Sequence, residues 1–486
     1  MNPSSQSDHL DVLIVGAGLS GIGAAYHLQT DCPGKSYAIL EGRESLGGTW
    51  DLFRYPGIRS DSDMYTLGFS FRPWTSPKAI ADGGSILAYL RETAAMYGID
   101  RRIRYRHKVQ SARWSSAEKK WTVESLDTTT GSTGRLTCSF LFMCAGYYDY
   151  DDGYTPEFAG RDSFRGRIVH PQHWPEDLDY AGKRVLVIGS GATAMTLVPS
   201  LAKTAGHVTM LQRSPTYVVS RPDNDPMADW LRGKVSEETA YSITRWKNVV
   251  LGMAFYQYCR RSPERAKQML VGWVRRQVRD PEELAHFTPS YNPWDQRVCL
   301  VPNGDLFRAL RKGTASVVTD RIDAFVEKGV RLESGRVLEA DIVVTATGLK
   351  LQFLGGLALD VDGKRIVPSE TMTYKGMMLS DVPNMALAVG YTNASWTLKC
   401  DLTAQYVCRL LNHMDQHGYT QCVARRDASV KEAPFIDFTA GYIQRSIGAF
   451  PRQGVTLPWR VYQNYAVDRV MLKHTSVRDK AMHFSL

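Results

Sequence analysis

Val12-Leu13-Ile14-Val15-Gly16-Ala17-Gly18 is a short apolar run that stops at glycine and passes into a helix-like stretch, Ile22–Gln29. It is too short for a helix and too uniformly apolar for a half-exposed strand, so it reads as a parallel strand buried on both faces. The same pattern returns at Val185-Leu186-Val187-Ile188-Gly189-Ser190-Gly191. Two strand–glycine–helix units predict an α/β chain with two Rossmann-type dinucleotide-binding domains. Other buried-strand candidates are Ser36–Leu40, Phe140–Ala145, Val208–Gln212, Asp341–Ala346 and Asn384–Ala388. Between Pro222 and Asn292 strand signals give way to helical stretches rich in Trp, Arg and Met, which predicts a helical insertion. The expected layout is a first domain over 1–145, a second over 146–220, the insertion over 221–291, the second domain again over 292–337, and completion of the first over 338–486.

In the first unit Gly16, Gly18 and Gly21 form GxGxxG between strand and helix. The first glycine allows the tight turn, the second lets backbone approach a pyrophosphate, and the third lets the helix pack on the strand. The helix N-terminus then offers unpaired N–H groups to phosphate. Glu41, at the end of the next strand, can accept from ribose hydroxyls. In the second unit Gly189, Gly191 and Ala194 give GxGxxA, and the following strand ends in Gln212-Arg213-Ser214 with no carboxylate. An arginine there pairs with a 2′-phosphate where a carboxylate would repel it, so Arg213 and Ser214 favour NADPH over NADH. Asp341-Ile-Val-Val-Thr-Ala-Thr347-Gly348 resembles the ATG segment near the cofactor of two-dinucleotide flavoproteins, which implies FAD at the first site.

The bulk properties bound the rest. A chain of 486 residues, 43% hydrophobic and 22% charged, is long enough for two or three domains. The formal charge of +9 suits anionic ligands or a membrane surface, and no recognition motif accompanies it, so nucleic acid is not an expected partner. No secretion signal is visible in the polar start, Met1–His9, and no run is long enough to span a bilayer. The eight cysteines are scattered, with no CxxC pair and none between Cys32 and Cys138, which argues against a zinc site, a dithiol centre and a disulfide reductase. Reduced thiols in a cytoplasmic protein are expected. Arg260, Arg261, Arg265, Lys267, Arg275, Arg276 and Arg279 crowd one stretch opposed by Glu264. It reads either as a solvated face of the insertion, the preferred reading, or as a basic amphipathic helix giving peripheral membrane association.

Three further segments carry a family resemblance. Phe164, Gly166, His170, Trp174 and Pro175 fit FxGxxxHxxxWP, which resembles the Baeyer–Villiger monooxygenase fingerprint. Gly47-Gly48-Thr49-Trp50, continuing through Tyr55-Pro56-Gly57 to Asp61, resembles the family's longer signature, and Tyr291-Asn-Pro-Trp294-Asp-Gln-Arg297 lies where the family carries its active-site arginine. Over residues 47–74, 291–311 and 390–399 the chain is similar to the ethionamide-activating subgroup. One departure is Gln296, where many relatives carry a lysine thought to help hold the NADPH phosphate.

The resemblance implies an NADPH- and O2-dependent flavin monooxygenase working through a C4a-peroxyflavin, which turns a ketone into an ester or lactone and oxidises sulfides or thioamides at sulfur. It implies that Arg297 stabilises the peroxide anion with Asp61 as orienting partner, that Gly48, Thr49, Trp50 and Asp61 lie at the cofactor, and that His170 links domains. Trp294, Asn393 and Trp396 are expected to border a pocket for an apolar ketone or organosulfur substrate. Taken singly, the tryptophans would be core residues, and Asp61–Arg297 a routine ion pair. The competing readings are a flavin monooxygenase acting mainly on sulfur or nitrogen, whose fingerprint lacks the terminal Trp-Pro, and a weakly oxygenating membrane-associated flavoprotein.

Overall fold

The computed structural model describes residues 9–278, 280–436 and 438–486. β1 (His9–Val15), α1 (Leu19–Asp31) and β2 (Tyr37–Leu40) form the first strand–helix–strand unit, and β1 also pairs in parallel with β3 (Thr133–Met143). Val12, Leu13 and Ile14 are fully buried, as a strand covered on both faces requires. An antiparallel meander, His107–Ser115 and Lys120–Asp127, extends β3 and completes much of a nine-stranded sheet.

The chain then leaves this sheet through the strand Tyr148–Gly153. β4 (Arg184–Ile188) and α2 (Ala192–Leu201) repeat the unit, followed by β5 (His207–Gln212). The insertion comes next: α3 (Glu237–Arg261) and α4 (Pro263–Arg275) are its main helices, and a parallel pair, Val218–Arg221 with Cys299–Pro302, closes its base. β6 (Ala315–Thr319) and β7 (Ile342–Thr345) complete a five-stranded, all-parallel second sheet in the order β6, β5, β4, β7, Arg167–Val169.

The place of β7 corrects the expected boundary at 338. Ile342–Thr345 pairs with Val185–Ile188 on one side and Arg167–Val169 on the other, so it belongs to the second sheet. A strand buried on both faces fits the middle of either sheet by composition, and the parallel partners decide between them. Leu349–Leu351 pairs antiparallel with Tyr148–Gly153 in a separate two-stranded ladder, and the chain returns to the first sheet at Ala358–Val361. β8 (Met385–Leu387) then joins β3, and α5 (Trp396–His417) packs against α1.

The insertion is pinned to the first domain by Arg245 of α3. Its buried guanidinium donates to the carbonyls of Tyr65 (2.7 Å) and Gly68 (2.8 Å) and lies 3.7 Å from the Asp401 carboxylate of α5. α4 turns its apolar residues inward: Leu270 packs on Tyr217 and Val219, and Ala266 and Val274 are buried. Arg265, Arg275 and Arg276 face solvent, and Arg260 is paired with Asp295 at 2.7 Å. The apolar side of this helix is therefore occupied by the protein itself. Arg279 lies outside the described residues. No helix among the described residues is long and apolar enough to cross a membrane, and the eight cysteines are free and buried.

Candidate active site

Both glycine motifs are shaped by backbone proximity. Gly16 has φ +102°, and a Cβ there would lie 2.6 Å from the Cys144 carbonyl oxygen; a Cβ on Gly21 would lie 1.9 Å from the oxygen of Gly16. Neither position admits a side chain. α1 starts after Gly18 with no side-chain cap, leaving its first N–H groups for a ligand. Glu41, at the end of β2, accepts from the Ala17 N–H at 2.7 Å and the Arg43 N–H at 2.9 Å. Burial pushes its pKa above the ordinary range, against the pull of those two donors. Gly48, with φ +57°, lies against Gly18 and leads into the short helix Thr49–Leu52. Gly16, Gly18, Glu41, Gly48, Thr49 and Trp50 all line one cavity of about 440 Å³.

The second motif faces the same space. A Cβ on Gly189 (φ +136°) would lie 2.3 Å from the Ala346 oxygen, Gly191 has open space before it, and Ala194 is fully buried. Ala192, Thr193 and Thr196 of α2 line the large cavity from the side opposite the first motif. Arg213 and Ser214 are exposed at the end of β5, where the Ser190 hydroxyl donates to the Ser214 carbonyl at 3.2 Å.

Thr347 and Gly348 lie at the edge of the second sheet. They follow β7 beside the second motif and are not among the residues lining the cavity. Thr347 donates to the Tyr154 carbonyl at 2.6 Å, while the Gly348 carbonyl accepts from the Tyr154 N–H at 3.1 Å. The fingerprint builds the same joint. Gly166 has no room for a Cβ, which would lie 2.4 Å from both the Asp341 oxygen and the buried Phe164 ring. His170 Nδ1 accepts from the Gln172 N–H, and its Nε2 is 3.2 Å from the Gly348 carbonyl, to which it donates. One nitrogen accepting and one donating is neutral imidazole, in keeping with burial that lowers its pKa. Trp174 sits edge-on to Tyr180, with Pro175 half-buried beside it.

Arg297 and Asp61 meet at 2.7 Å, each side chain 35% exposed. Asp61 is the principal reason the guanidinium holds its proton more firmly than an ordinary arginine. The pair stands on the wall shared by the large cavity and a second one of about 400 Å³, together with Leu300, Tyr391 and Ala394. The second cavity lies between α3 and the loop before α5, lined by Trp294, Asn393, Leu251, Met253, Tyr256 and Leu398. A Lys247–Asp225 ion pair and Asn248 add a polar region to it. Trp396 lines the first cavity and donates to the Ser20 hydroxyl at 2.9 Å.

Sequence reasoning missed the phenols around Arg297. Tyr147, Tyr148 and Tyr442 all lie near its charge. Burial pushes the Tyr442 phenol up to about 12, so it is a neutral hydrogen-bond donor at physiological pH. Tyr147 and Tyr148 follow the strand end at Met143, and strand ends are where α/β sheets hold ligands. That signal was legible; Tyr442 had none.

Comparison with known proteins agrees with this architecture. A model of flavin-binding monooxygenase-like proteins matches residues 76–417, and one of NAD(P)-binding Rossmann-like domains matches residues 14–76. The chain is 58% identical over 482 residues to the FAD-containing monooxygenase EthA of Mycobacterium tuberculosis, covering 99% of this chain and 98% of that protein. It is 49% identical over 479 residues to the probable FAD-binding monooxygenase AlmA of Acinetobacter baylyi, covering 98% and 96%. Among solved structures it shares the fold of oxidized steroid monooxygenase bound to NADP, with TM-score 0.77, 23% identity and coverage of 98% and 99%. Open cyclohexanone monooxygenase gives TM-score 0.75 at 20% identity, covering 99% and 100%. The chain belongs to the flavin-binding monooxygenase-like family.

Proposed function

We propose that the protein binds FAD and NADPH and uses O2 to insert oxygen beside a ketone carbonyl, giving an ester or lactone, and that the same site oxidises sulfides or thioamides at sulfur. The balance is ketone, O2, NADPH and a proton to ester, NADP⁺ and water. The observation that carries this reading is the Arg297–Asp61 pair on a wall common to two cavities, one bordered by both dinucleotide motifs and the other with an apolar wall of Leu251, Met253 and Leu398 beside a polar region.

The residues present fit the two cofactors. Gly16 and Gly48 leave backbone where a pyrophosphate must approach, the uncapped start of α1 supplies donors, and the Glu41 carboxylate can accept from ribose hydroxyls. Gly191, Arg213 and Ser214 offer the matching features for NADPH. When bound, the flavin supplies hydride acceptance from NADPH and electron transfer to O2.

The chain's own residues then have defined tasks. Arg297 places a permanent positive charge where negative charge develops on reacting oxygen. Asp61 keeps the guanidinium aimed at the shared wall. The neutral Tyr442 phenol adds a donor without acting as a base. Leu251, Met253 and Leu398 give the second cavity an apolar wall suited to an apolar ketone or sulfide.

The test is purified yellow protein with NADPH, O2 and phenylacetone, following NADPH loss and benzyl acetate by gas chromatography. Ester forming in step with NADPH consumption supports the reading. Hydrogen peroxide alone, with product only from a sulfide panel, would replace it with a sulfur-directed monooxygenase.

A further inference from the structure

We propose that Arg445 is an additional nucleotide-binding residue, a cation that closes over the pyrophosphate of the nicotinamide dinucleotide from the side opposite Arg213. This rests on reading the second motif as the NADPH site.

The argument starts from the strand order. In the second sheet β4 lies between β5 and β7, and all three are parallel, so their C-terminal ends share one edge. The Gly189–Gly191 turn follows β4, Arg213 follows β5 and Gly348 follows β7. Arg213 therefore flanks the turn on one side and Gly348 on the other. Arg445 comes from the C-terminal segment, just after the short helix Gly441–Gln444, and crosses to this edge. Its guanidinium stacks 3.5 Å above the Tyr154 ring, and a Cβ on Gly348 would lie 3.4 Å from its Nη2.

The charge at this position is uncompensated. Among the described residues Arg445 is in no ion pair. Partial desolvation, with the like charge of Arg213 adding to it, lowers its pKa from the ordinary arginine value. The two arginines flank a glycine turn and an uncapped helix start from either side, an arrangement suited to an anion. On the β5 side a ribose 2′-phosphate falls to Arg213; the turn itself receives the pyrophosphate, and Arg445 reaches that from the β7 side. The short helix that ends at Arg445 carries Tyr442, which stands near Arg297, so engagement of the phosphates also steadies a neighbour of the Arg297 charge.

The test is equilibrium binding to the oxidised holoenzyme, with NADP⁺ and NAD⁺ measured by titration calorimetry and 2′-AMP by displacement. Arg445→Ala is expected to weaken NADP⁺ and NAD⁺ by the same factor, roughly tenfold for loss of one partly exposed charge-assisted contact, while leaving 2′-AMP unchanged. Arg445→Lys is expected to recover part of the loss. Arg213→Ala is expected to weaken NADP⁺ and 2′-AMP and spare NAD⁺. Unchanged dinucleotide affinity in Arg445→Ala, with Arg213→Ala behaving as stated, would overturn the role of Arg445 and leave the NADPH reading standing. Equal weakening of 2′-AMP by Arg445→Ala would show a general loosening of the edge and also overturn it. No dinucleotide binding to the unaltered holoenzyme would remove the NADPH reading and the proposal with it.

Discussion

Replacing Arg297 with alanine separates catalysis from scaffolding. The 2.7 Å pair with Asp61 is 35% exposed on both sides. A pair this accessible contributes only about 0.2–1 kcal/mol to folding, so the variant should melt within a few degrees of the parent. Its contribution to the reaction is expected to be far larger, because one preorganised charge aimed at developing negative charge typically accounts for roughly 10²–10³ in rate. Oxygenated product should fall by that factor while NADPH still reduces the flavin, since neither glycine motif touches Arg297. Asp61→Asn should cost less, about tenfold, because the guanidinium stays protonated without its partner and loses only its aim. If Asp61 acts through Arg297, the double variant should be no worse than Arg297→Ala alone. Stopped-flow absorbance for flavin reduction, chromatography for product and peroxide assay for leakage measure all three. Normal product yield in Arg297→Ala would refute the reasoning, and additive losses in the double variant would refute the coupling.

Three further outcomes are expected. Gly21→Ala puts a methyl 1.9 Å from the Gly16 oxygen, so flavin content and melting temperature should both drop, with a cost of about 1–3 kcal/mol or more; full flavin occupancy would contradict the close approach. Burial raises the Glu41 pKa above 4.5, so the folded apoprotein binds more protons than the unfolded chain between that value and the raised one, and this group's contribution falls as pH rises through the window. Glu41→Gln should flatten that part of the pH–stability profile of the flavin-free protein and weaken FAD binding, as denaturant titration and flavin release would register. Arg245→Ala leaves the buried Asp401 carboxylate short of a partner and three backbone carbonyls without their donor, a loss of about 3–5 kcal/mol that should expose α3 to limited proteolysis.

The two dinucleotide units were readable because each needs a local pattern: a buried β-branched strand, glycines where backbone crowds backbone, and a helix start. The insertion was readable because periodicity changes at its borders. Membership of β7 was not, since Ile342–Thr345 is an equally good central strand for either sheet and only its neighbours distinguish them. The joint role of Thr347 and Gly348 follows from that same placement and was hidden with it. Arg297 and Asp61 were legible only through resemblance, because residues so far apart in the chain carry no local signal of a 2.7 Å contact. Tyr442 and Arg445 lie on a segment with no regular pattern, and what matters about them is where that segment crosses the protein. The basic stretch on α4 shows the opposite limit: its periodicity was plain, yet composition alone could not say that Tyr217 and Val219 already cover its apolar side.

The ladder between Tyr148–Gly153 and Leu349–Leu351 means that the chain enters and leaves the second sheet at one place. The two chain crossings therefore lie side by side and share one short ladder of backbone hydrogen bonds. The Arg59–Asp305 ion pair and the Arg245 contacts also join the two units, away from that ladder. A substitution within the ladder thus disturbs both crossings at once, while the side-chain contacts between the units remain in place.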